Sequence, residues 1–431
     1  MNICVIGAGY VGLVAASCLS EDNNVICVDK NIEKIEMLKK GDIPFYEPKL
    51  KEIITKNINK TLFFENDIAL ATKKSSVIFI AVGTPTKEDG DVDLSAVYEV
   101  VKEVATSIDG YKVIVQKSTV PMGTNEKILE IISKYTTNFD IVSNPEFLRQ
   151  GSAVNDFINP DRIIIGSNST SAIDVVSKIY SKNKSKIITM DLKSAEMTKY
   201  AANSFLALKI SFANEIANIC EKIGADYEMV KLGISKDERI GSQFINAGLG
   251  WGGSCFPKDV KALLKISSEN DFDAKILKAT QEVNAFQKDL FINKILNCFN
   301  GDIRNKTIAV WGLSFKPNTD DLREAPSIDI IHKLLEKGAK VKVYDPKAMN
   351  NFEKMFKDSV EYSKDLYNAL NVADSLLLLT EWEEFKNPDF NKMKNIMKTP
   401  IIFDGRNQYN PIKLKKIGFK CFQIGRKDVW F

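Results

Sequence analysis

One short segment of the chain combines a cysteine, a lysine and several glycines in a pattern that permits covalent chemistry. It reads Gly-Trp-Gly-Gly-Ser-Cys-Phe-Pro-Lys-Asp from Gly250 to Asp259, and an apolar helical stretch follows it. Pro257 suits the first turn of that helix, which places Cys255 at the helix N-terminus and close in sequence to Lys258. Both features favour the thiolate, the nucleophilic form of cysteine. We therefore predict that Cys255 is a nucleophile and not a buried structural residue.

The remaining residues that could do chemistry are limited in kind. The other cysteines, at positions 4, 18, 27, 220, 298 and 421, have no Cys-x-x-Cys spacing, and we interpret them as reduced, small apolar residues. The single histidine, His332, lies in an amphipathic stretch and is expected on a helix surface. We expect neither histidine catalysis nor a metal site, which leaves Lys, Cys, Glu, Asp and Thr.

A dinucleotide-binding pattern opens the chain. An apolar strand leads into Gly-Ala-Gly-Tyr-Val-Gly at residues 7–12, a helical stretch follows, and a second strand ends at Asp29. Glycines let the backbone approach a pyrophosphate at a helix N-terminus, and a carboxylate binds the ribose hydroxyls of NAD while repelling the ribose phosphate of NADP. Lys30 and Lys34 are the features that would instead suit NADP. The predicted NAD-binding residues here are Gly7, Gly9, Tyr10, Val11, Gly12, Asp29 and Lys34.

Two later strands end in small hydroxyl residues. The segments are Val-Gly-Thr-Pro-Thr at residues 82–86 and Ser-Thr-Val-Pro at residues 118–121. The carboxyl ends of parallel strands meet at the ligand crevice of a doubly wound sheet, which disfavours the alternative of a fold without a cofactor. We predict that this side of the cofactor site is completed by Gly83, Thr84, Pro85, Thr86, Ser118 and Thr119.

The composition indicates a soluble globular protein. The 431 residues are 44% hydrophobic and 27% charged, and 59 basic and 56 acidic side chains leave a net charge of +3, so neither nucleic acid nor a membrane is expected as a partner. No basic segment precedes the first apolar strand, and no apolar run approaches the roughly 20 residues of a membrane span. We expect a cytoplasmic protein.

Alternating strands and helices predict the elements that position these residues. The predicted fold class is α/β, with two Rossmann-like, doubly wound parallel-sheet domains joined by a long central helix and a helical segment. The central helix is expected from about Lys193 to Glu221, to be largely buried, and to end at Gly224. The predicted domains are 1–192 for NAD, 193–296 for the helices and the cysteine loop, and 297–431 for the substrate. We expect at least a homodimer centred on the long helix.

Motifs spread over the whole chain, in a fixed order, identify a family resemblance. They read GAGYVGLV, IPFYEPKL, VGTPT, STVPMGT, NPEFLRQGSA, NPDRIIIG, KYAANSFLALKISFANE, DERIG, GWGGSCFPKD, GLSFKPNTDDLREAPS and FDGRN. The chain resembles the UDP-glucose/GDP-mannose dehydrogenase family, and within it the branch acting on UDP-glucose. The resemblance implies oxidation of the sugar C6 alcohol to a carboxylate with two NAD, through a thiohemiacetal and a thioester on Cys255.

The resemblance also implies roles for residues that spacing alone does not assign. Lys199 and Asn203, one helical turn apart, would stabilise the oxyanion. Asp259 and Thr119 would position water or relay protons, and Glu146 would be the base for thioester hydrolysis. The base of the first step is left open between Lys199 and a water held by Asp259. Further implied cofactor contacts are Gln150, Lys258 and Arg323. The implied substrate-binding residues are Glu146, Phe147, Leu148, Arg149, Lys199, Asn203, Arg239, Phe244, Asn246, Gly248, Gly252, Phe315, Lys316 and Arg406.

Some positions depart from the family pattern or admit another interpretation. Gln150 stands where the family commonly has Glu, and Trp251 where many relatives carry Tyr or Phe. Arg149 and Arg323 could each be ordinary surface ion pairs, and Arg406 could serve its own chain or a neighbouring subunit. The alternative functions are the same chemistry on UDP-N-acetylmannosamine, UDP-N-acetylglucosamine or GDP-mannose, a catalytically silent nucleotide-sugar sensor, and a single-step alcohol dehydrogenase.

Overall fold

A computed structural model describes residues 1–87 and 90–427 of the chain. These residues form two compact units. The first comprises Met1–Ala202 and Lys261–Ile266, and the second comprises Asn203–Val260 and the chain from Ser267 onward. The division into three domains predicted from the sequence stays a prediction.

The first unit alternates strands and helices from its first residues. Its strands are continuous apolar runs, and Val77–Ile80 and Lys112–Gln116 are buried along their whole length, as in sheets covered on both faces. The elements are β1 Asn2–Ile6, α1 Tyr10–Leu19, β2 Asn24–Val28, α2 Ile32–Lys39, α3 Leu50–Asn57, β3 Leu62–Glu65, α4 Ile68–Lys74, β4 Val77–Ile80, α5 Ser95–Ser107, β5 Lys112–Gln116, α6 Thr124–Ile132, β6 Phe139–Ser143, α7 Ala153–Ile158, β7 Ile163–Gly166, α8 Thr170–Ile179 and β8 Ile187–Met190.

These strands form one sheet in the order β3-β2-β1-β4-β5-β6-β7-β8. The order reverses between β1 and β4, which is the switch point where such sheets bind ligands. The sheet is parallel except at β7, which pairs antiparallel with β6 through Ser143 and Gly166. Alternate side chains of β1 face opposite sides, so that Val5 belongs to one apolar core and Cys4 to the other.

A single helix, α9, runs from Leu192 to Ile223. Gly224 follows it with a φ of +82°, the conformation that ends many helices, so the predicted end is confirmed. In a single chain the helix is not buried all round. Its large exposed apolar side chains are Met197, Phe205, Phe212, Ile219 and Ile223.

The second unit continues with helices and then a second alternating region. Its elements are α10 Tyr227–Ile234, α11 Phe256–Glu269, α12 Lys275–Cys298, β9 Thr307–Trp311, α13 Pro326–Glu336, β10 Lys340–Tyr344, α14 Met349–Phe356, β11 Glu361–Tyr362, α15 Leu366–Leu370, β12 Ser375–Leu378, α16 Phe390–Ile396, β13 Ile401–Asp404, α17 Pro411–Ile417 and β14 Lys420–Phe422. His332 lies exposed on α13, as predicted.

The second sheet is parallel throughout, in the order β11-β10-β9-β12-β13-β14. Its order therefore reverses between β9 and β12, as the first sheet reverses between β1 and β4. Asp345 follows β10 and is buried. Its carboxylate accepts hydrogen bonds from the Leu313 N–H at 2.7 Å and the Trp382 indole N–H at 3.1 Å. The predicted fold class, with two Rossmann-like sheets and a long central helix, is confirmed.

Candidate active site

The loop between β1 and α1 has the geometry of a phosphate-binding turn. Gly7 has a φ of +106°, and a Cβ there would lie 2.6 Å from the Ala81 carbonyl oxygen. A Cβ on Gly12 would lie 1.8 Å from the Gly7 carbonyl oxygen, so only glycine lets α1 begin this close to β1. A Cβ on Gly9 would meet nothing within 4 Å. The N-terminus of α1 therefore faces open space, with N–H groups for a pyrophosphate.

Asp29, at the end of β2, is held against this loop. Its carboxylate accepts hydrogen bonds from the Ala8 N–H at 2.9 Å and from Lys34 Nζ at 2.8 Å. Burial acts to raise the pKa of Asp29, but the bonds from Lys34 and the backbone outweigh it and lower the pKa. The group is an ionised carboxylate that also neutralises Lys34, which suits a ribose diol and opposes a ribose phosphate.

The later strand ends meet at the same edge of the first sheet. The Thr84 hydroxyl donates to the Thr119 carbonyl oxygen at 2.9 Å, and the Ser118 hydroxyl donates to the Val82 carbonyl oxygen at 2.6 Å. These bonds join the loops after β4 and β5. The structure thus brings the predicted groups at residues 83–86 and 118–119 together beside the switch point.

Glu146 and Lys199 form a buried ion pair. Their side chains are 6% and 4% exposed, and Lys199 Nζ lies 3.1 Å from Glu146 Oε1. The Leu148 N–H donates to Glu146 Oε2 at 2.6 Å. Burial acts to raise the pKa of Glu146, but Lys199 and the Leu148 N–H outweigh it and lower the pKa. The pair therefore combines an ionised carboxylate with an ammonium donor, as a proton acceptor and an oxyanion-stabilising group require.

Lys117 is a residue of this site that the sequence analysis missed. It follows β5 directly and is 5% exposed, and its Nζ donates to Asn144 Oδ1 at 3.0 Å. Burial lowers the pKa of Lys117 to about 8, although the charge of Glu146 opposes that effect. The available signal was the position of this lysine, two residues after the apolar run at residues 113–115 of a strand that is buried along its whole length.

The loop carrying Glu146 also lines a cavity of about 190 Å³ in the first unit. Two cations lie against the Phe147 ring, with the Arg162 guanidinium carbon 3.7 Å and Lys199 Nζ 5.4 Å from the ring centroid. Such contacts attract cations to the ring faces, which fixes the position of Phe147. The polar groups lining the cavity belong to Lys117, Asn144, Glu146, Arg149, Asn155, Asp156, Asn159, Asp161, Arg162 and Tyr180.

In the second unit, Cys255 stands directly before α11, with Pro257 in the first helical turn, as predicted. The residue is partly exposed, and its Sγ lies 3.7 Å from the Ser254 hydroxyl oxygen. The N–H groups of a first helical turn lack intrahelical partners and favour negative charge. By contrast, Cys18 and Cys27 of the first unit are buried, and burial raises their pKa to about 12. Cys255 therefore has the exposure and helix position of a nucleophile, whereas those two remain thiols at neutral pH.

Asp259 joins two other predicted residues of the second unit. It lies in the first turn of α11 and is 1% exposed. Lys258 Nζ donates to its Oδ1 at 2.6 Å, and Asn203 Nδ2 donates to its Oδ2 at 2.5 Å. Each carboxylate oxygen has one strong donor, which fixes the amide of Asn203 in a single orientation.

The glycine-rich loop before Cys255 is held by amide side chains. The Gly248 N–H donates to Asn214 Oδ1 at 2.8 Å, and the Trp251 N–H donates to Asn284 Oδ1 at 2.7 Å. A Cβ on Gly252 would lie 2.0 Å from the Glu324 carbonyl oxygen. These bonds stabilise the observed loop conformation, which needs glycine at position 252.

Predicted substrate-binding residues converge at the second sheet. Phe315 and Arg406 follow β9 and β13, the strands on either side of β12. The Arg406 guanidinium donates to the Leu379 carbonyl oxygen at 2.7 Å and to the Phe315 carbonyl oxygen at 3.3 Å. A Cβ on Gly248 would lie 3.6 Å from the Arg406 guanidinium, and Lys316 Nζ lies 5.5 Å from the Phe315 ring centroid. Within one unit, Gly248, Phe315, Lys316 and Arg406 form a basic and aromatic group at the switch point.

All four predicted arginines pair with nearby carboxylates in this structure. Arg406 Nε lies 3.2 Å from Glu381 Oε2, and the other pairs are Arg149 with Asp156, Arg239 with Asp237 and Arg323 with Asp321, each at 2.6 Å. The bond to Asp321 raises the pKa of Arg323, and the charge of Cys255 acts in the same direction. The side chain of Arg239 is 90% exposed. Its guanidinium bonds to Asp237 at the protein surface.

Phe244 and Asn246 lie in the segment between Arg239 and the glycine loop. Phe244 has a φ of +64°, and its ring centroid is 6.3 Å from that of Phe256, beside Cys255. Lys231 Nζ donates to Asn246 Oδ1 at 3.1 Å.

Within residues 1–87 and 90–427, no group of three or more His, Cys, Asp or Glu is placed to hold a metal ion, and no helix is long and apolar enough to cross a membrane.

Three family models match successive parts of the chain. They describe the NAD binding domain of the UDP-glucose/GDP-mannose dehydrogenase family over residues 1–184, its central domain over residues 193–286 and its UDP binding domain over residues 309–411. The NAD site at the first sheet, with Asp29 at the second strand, agrees with the first of these matches.

Relatives and solved structures match over nearly the full length. The UDP-glucose 6-dehydrogenase TuaD of Bacillus subtilis is 45% identical over 99% of this chain and 94% of its own. The structure of a UDP-glucose dehydrogenase from Pyrobaculum islandicum has a TM-score of 0.91 at 34% identity, covering 99% of this chain and 97% of that one. That of a UDP-D-ManNAc dehydrogenase from Pyrococcus horikoshii has a TM-score of 0.87 at 27% identity, covering both chains fully. The chain therefore belongs to the UDP-glucose/GDP-mannose dehydrogenase family.

Proposed function

We propose that the protein oxidises UDP-glucose at C6 to UDP-glucuronate, with two NAD reduced and one water consumed for each sugar. The observation that carries this proposal is a partly exposed Cys255 at the N-terminus of α11 in a chain that also has a dinucleotide site. A single-step alcohol dehydrogenase has no use for such a nucleophile, and a silent sensor has no need for the retained reactive groups. The names of the relatives acting on UDP-glucose support the choice of substrate.

Cys255 converts the first product into a form that can be oxidised again. NAD bound at the first sheet supplies the hydride acceptor. Loss of hydride and a proton from the alcohol gives an aldehyde, and the Cys255 thiolate adds to its carbon to form a thiohemiacetal. A second hydride loss gives the thioester. Covalent attachment keeps the reactive aldehyde from leaving between the two oxidations.

The surrounding residues stabilise the oxyanion, accept protons and position water in this scheme. Lys199 and Asn203 stabilise the oxyanion of the thiohemiacetal, and Glu146 accepts a proton from the water that hydrolyses the thioester. The lowered pKa of Glu146 supports that role, since the group is ionised at neutral pH. Asp259 is held by Lys258 and Asn203. Together with Thr119, it positions water. For the first proton, Lys199 and a water held by Asp259 remain the two candidate bases.

The binding residues fall into two sets, one for each ligand. The glycine loop, Asp29 and the residues at 83–86 and 118–119 hold NAD, with contributions from Gln150, Lys258 and Arg323. The segment 146–149, the segment 239–252, Phe315, Lys316 and Arg406 hold the sugar nucleotide. Cationic side chains suit its diphosphate, and aromatic rings suit its base and sugar.

The protein works as a homodimer, or a larger homo-oligomer, through α9 in this proposal. Phe205, Phe212 and Ile219 are each about half exposed or more and recur every seven residues, so they lie on one face of the helix. A stripe of large apolar side chains is costly in water, and a second copy of the same helix would cover it. The buried thiols of the first unit fit a reducing compartment, and we place the protein in the cytoplasm.

The testing experiment counts NADH formed per UDP-glucose consumed, for the natural protein and for Cys255→Ser. We expect two NADH from the natural protein and no complete turnover from the variant. Cys220→Ser is the matched control, because Cys220 is a buried cysteine of the same unit, and it should also give two. One NADH with an unaffected Cys255→Ser would refute the covalent scheme. Turnover only with an N-acetylated or guanosine-linked sugar would refute the choice of UDP-glucose.

A further inference from the structure

Glu47, in the segment Ile-Pro-Phe-Tyr-Glu-Pro, has no part in the chemistry described above. It lies between α2 and α3 and is 3% exposed. Its Oε1 accepts a hydrogen bond from the Ala153 N–H at 2.8 Å, and its Oε2 accepts from the Gly151 N–H at 2.7 Å and from the Tyr10 hydroxyl. Donors from two remote segments therefore converge on one buried carboxylate.

Each of these donors belongs to a ligand-binding loop or lies next to one. Tyr10 is the first residue of α1, inside the glycine loop of the NAD site. Gly151 directly follows the segment 146–150. In that segment, residues 146–149 are assigned to the sugar nucleotide and Gln150 is assigned to NAD. The Gly151 N–H also lies 3.2 Å from the Tyr10 hydroxyl oxygen, and the Tyr10 ring packs at 4.9 Å from the Phe45 ring. The carboxylate thus links the two loops within the first unit, alongside the direct hydrogen bond from Gly151 to Tyr10.

Loss of a single donor to the Glu47 carboxylate is energetically unfavourable. Burial raises the pKa of Glu47, against the hydrogen bonds from Tyr10 and the backbone N–H groups. A buried carboxylate that loses a donor keeps the cost of its removal from water. A shift of Tyr10 away from Glu47 is therefore opposed, and the positions of Tyr10 and Gly151 are tied to each other.

We propose that Glu47 is a positioning residue that couples the two ligand sites: dinucleotide binding at the glycine loop fixes Tyr10, and through Glu47 it fixes the segment 146–151 that receives the sugar nucleotide. The inference rests on the proposed assignment of those two loops. Because such coupling is reciprocal, UDP-glucose strengthens dinucleotide binding by the same factor.

The test measures binding without turnover. The dissociation constant of UDP-glucose is determined by calorimetry for the protein alone and for the protein saturated with NADH, which cannot accept a hydride. In the natural protein we expect NADH to tighten UDP-glucose binding at least about fivefold. In Tyr10→Phe, which removes one hydroxyl, and in Glu47→Gln, which replaces one acceptor oxygen by a donor, the ratio should fall to within about twofold of unity.

Glu196→Gln is the matched control. Glu196 is also 3% exposed, and it accepts from the Gly123 and Asn125 N–H groups at the start of α6, so it loses an equally buried acceptor without touching Tyr10 or Gly151. The control should retain the natural ratio. A ratio near unity in the natural protein, a ratio retained in both test variants, or a ratio lost in the control would each overturn the proposal. NADH production from UDP-glucose tests the proposed function separately, since the coupling is read from binding alone.

Discussion

Replacing Lys117 with methionine should make the protein more stable and less active. Burial lowers the pKa of Lys117 from its ordinary value of 10.5 to about 8. Keeping this side chain charged at pH 7 therefore lowers the free energy of unfolding by about 3 kcal/mol. Methionine has a similar length and no charge. It loses the hydrogen bond to Asn144, which is worth about 1 kcal/mol. Asn144 Oδ1 keeps its other donor, the Tyr180 hydroxyl at 2.8 Å, so the net gain is about 2 kcal/mol.

The pH dependence of the free energy of unfolding tests the same prediction in a second way. Between pH 8 and 10.5 the unfolded chain binds more protons at this lysine than the folded chain does, so the free energy of unfolding of the natural protein rises with pH. In Lys117→Met that rise is absent, and the stability advantage of the variant should shrink as the pH approaches 10. Urea unfolding of both proteins at several pH values from 7 to 10 measures the difference.

Lys112→Met is the matched control for this experiment. Lys112 is 6% exposed at the start of β5, the strand that leads into Lys117. It forms an ion pair with Asp109 at 3.0 Å, so the same substitution removes a favourable partner and should destabilise. Equal effects of the two substitutions, or a Lys117→Met variant less stable than the natural protein at pH 7, would refute the reasoning.

Activity should change in the opposite direction. Against the effect of burial, Lys117 is one of the charges that lower the pKa of Glu146. Without it the pKa of Glu146 rises, and the acid limb of the turnover profile should move to higher pH. An unchanged profile would show that Lys117 does not act on Glu146.

The other predictions concern single contacts of the site. Glu146→Gln leaves Lys199 buried without its carboxylate and should lower the free energy of unfolding by about 3 kcal/mol at pH 7. Because the pKa of Glu146 lies below its ordinary 4.5, its contribution is present above that value and lost as the pH falls further, so urea unfolding near pH 3 should show a smaller difference. Gly252→Ala should abolish turnover, since its Cβ would lie 2.0 Å from a carbonyl oxygen, whereas Gly233→Ala, with open space at its Cβ, should not; initial rates of both variants decide. Asp29→Asn should raise the KM for NAD about tenfold, the value of one charge-assisted hydrogen bond, and leave UDP-glucose binding to the cofactor-free protein unchanged in a titration.

Local sequence patterns predicted the regular elements well. β1 and β5 lie where an apolar strand was predicted, before the glycine loop at residues 7–12 and before Ser118, because each contains a short run of apolar residues. β3, β8, β11 and β14 have only two to four residues each. These short strands lie towards the outer sides of the two sheets, where pairing with a neighbouring strand, and not a local pattern, creates the strand.

In the candidate site too, some features follow from local sequence signals and others depend on distant parts of the chain. The position of Cys255 before a helix followed from Pro257 alone, because proline in a first turn is a local signal. The burial of Lys117 and the convergence of donors on Glu47 depend on chain segments tens to more than 100 residues away, and no local spacing encodes them. Lys199 belonged to neither group, since the family motif predicted its role and the ion pair with Glu146 is visible only in the structure.

The two sheets share one strand order around their switch points, so the chain contains the same half-fold topology twice. In both copies a carboxylate follows the second strand and accepts an N–H from the loop after the first: Asp29 from Ala8, and Asp345 from Leu313. The two copies differ at this position, because Asp345 also binds the Trp382 indole and is buried. The second copy therefore lacks a carboxylate available to a ribose diol at that position. One architecture thus offers a carboxylate to a ribose diol in its first half, whereas in its second half the carboxylate at the equivalent position is used within the fold.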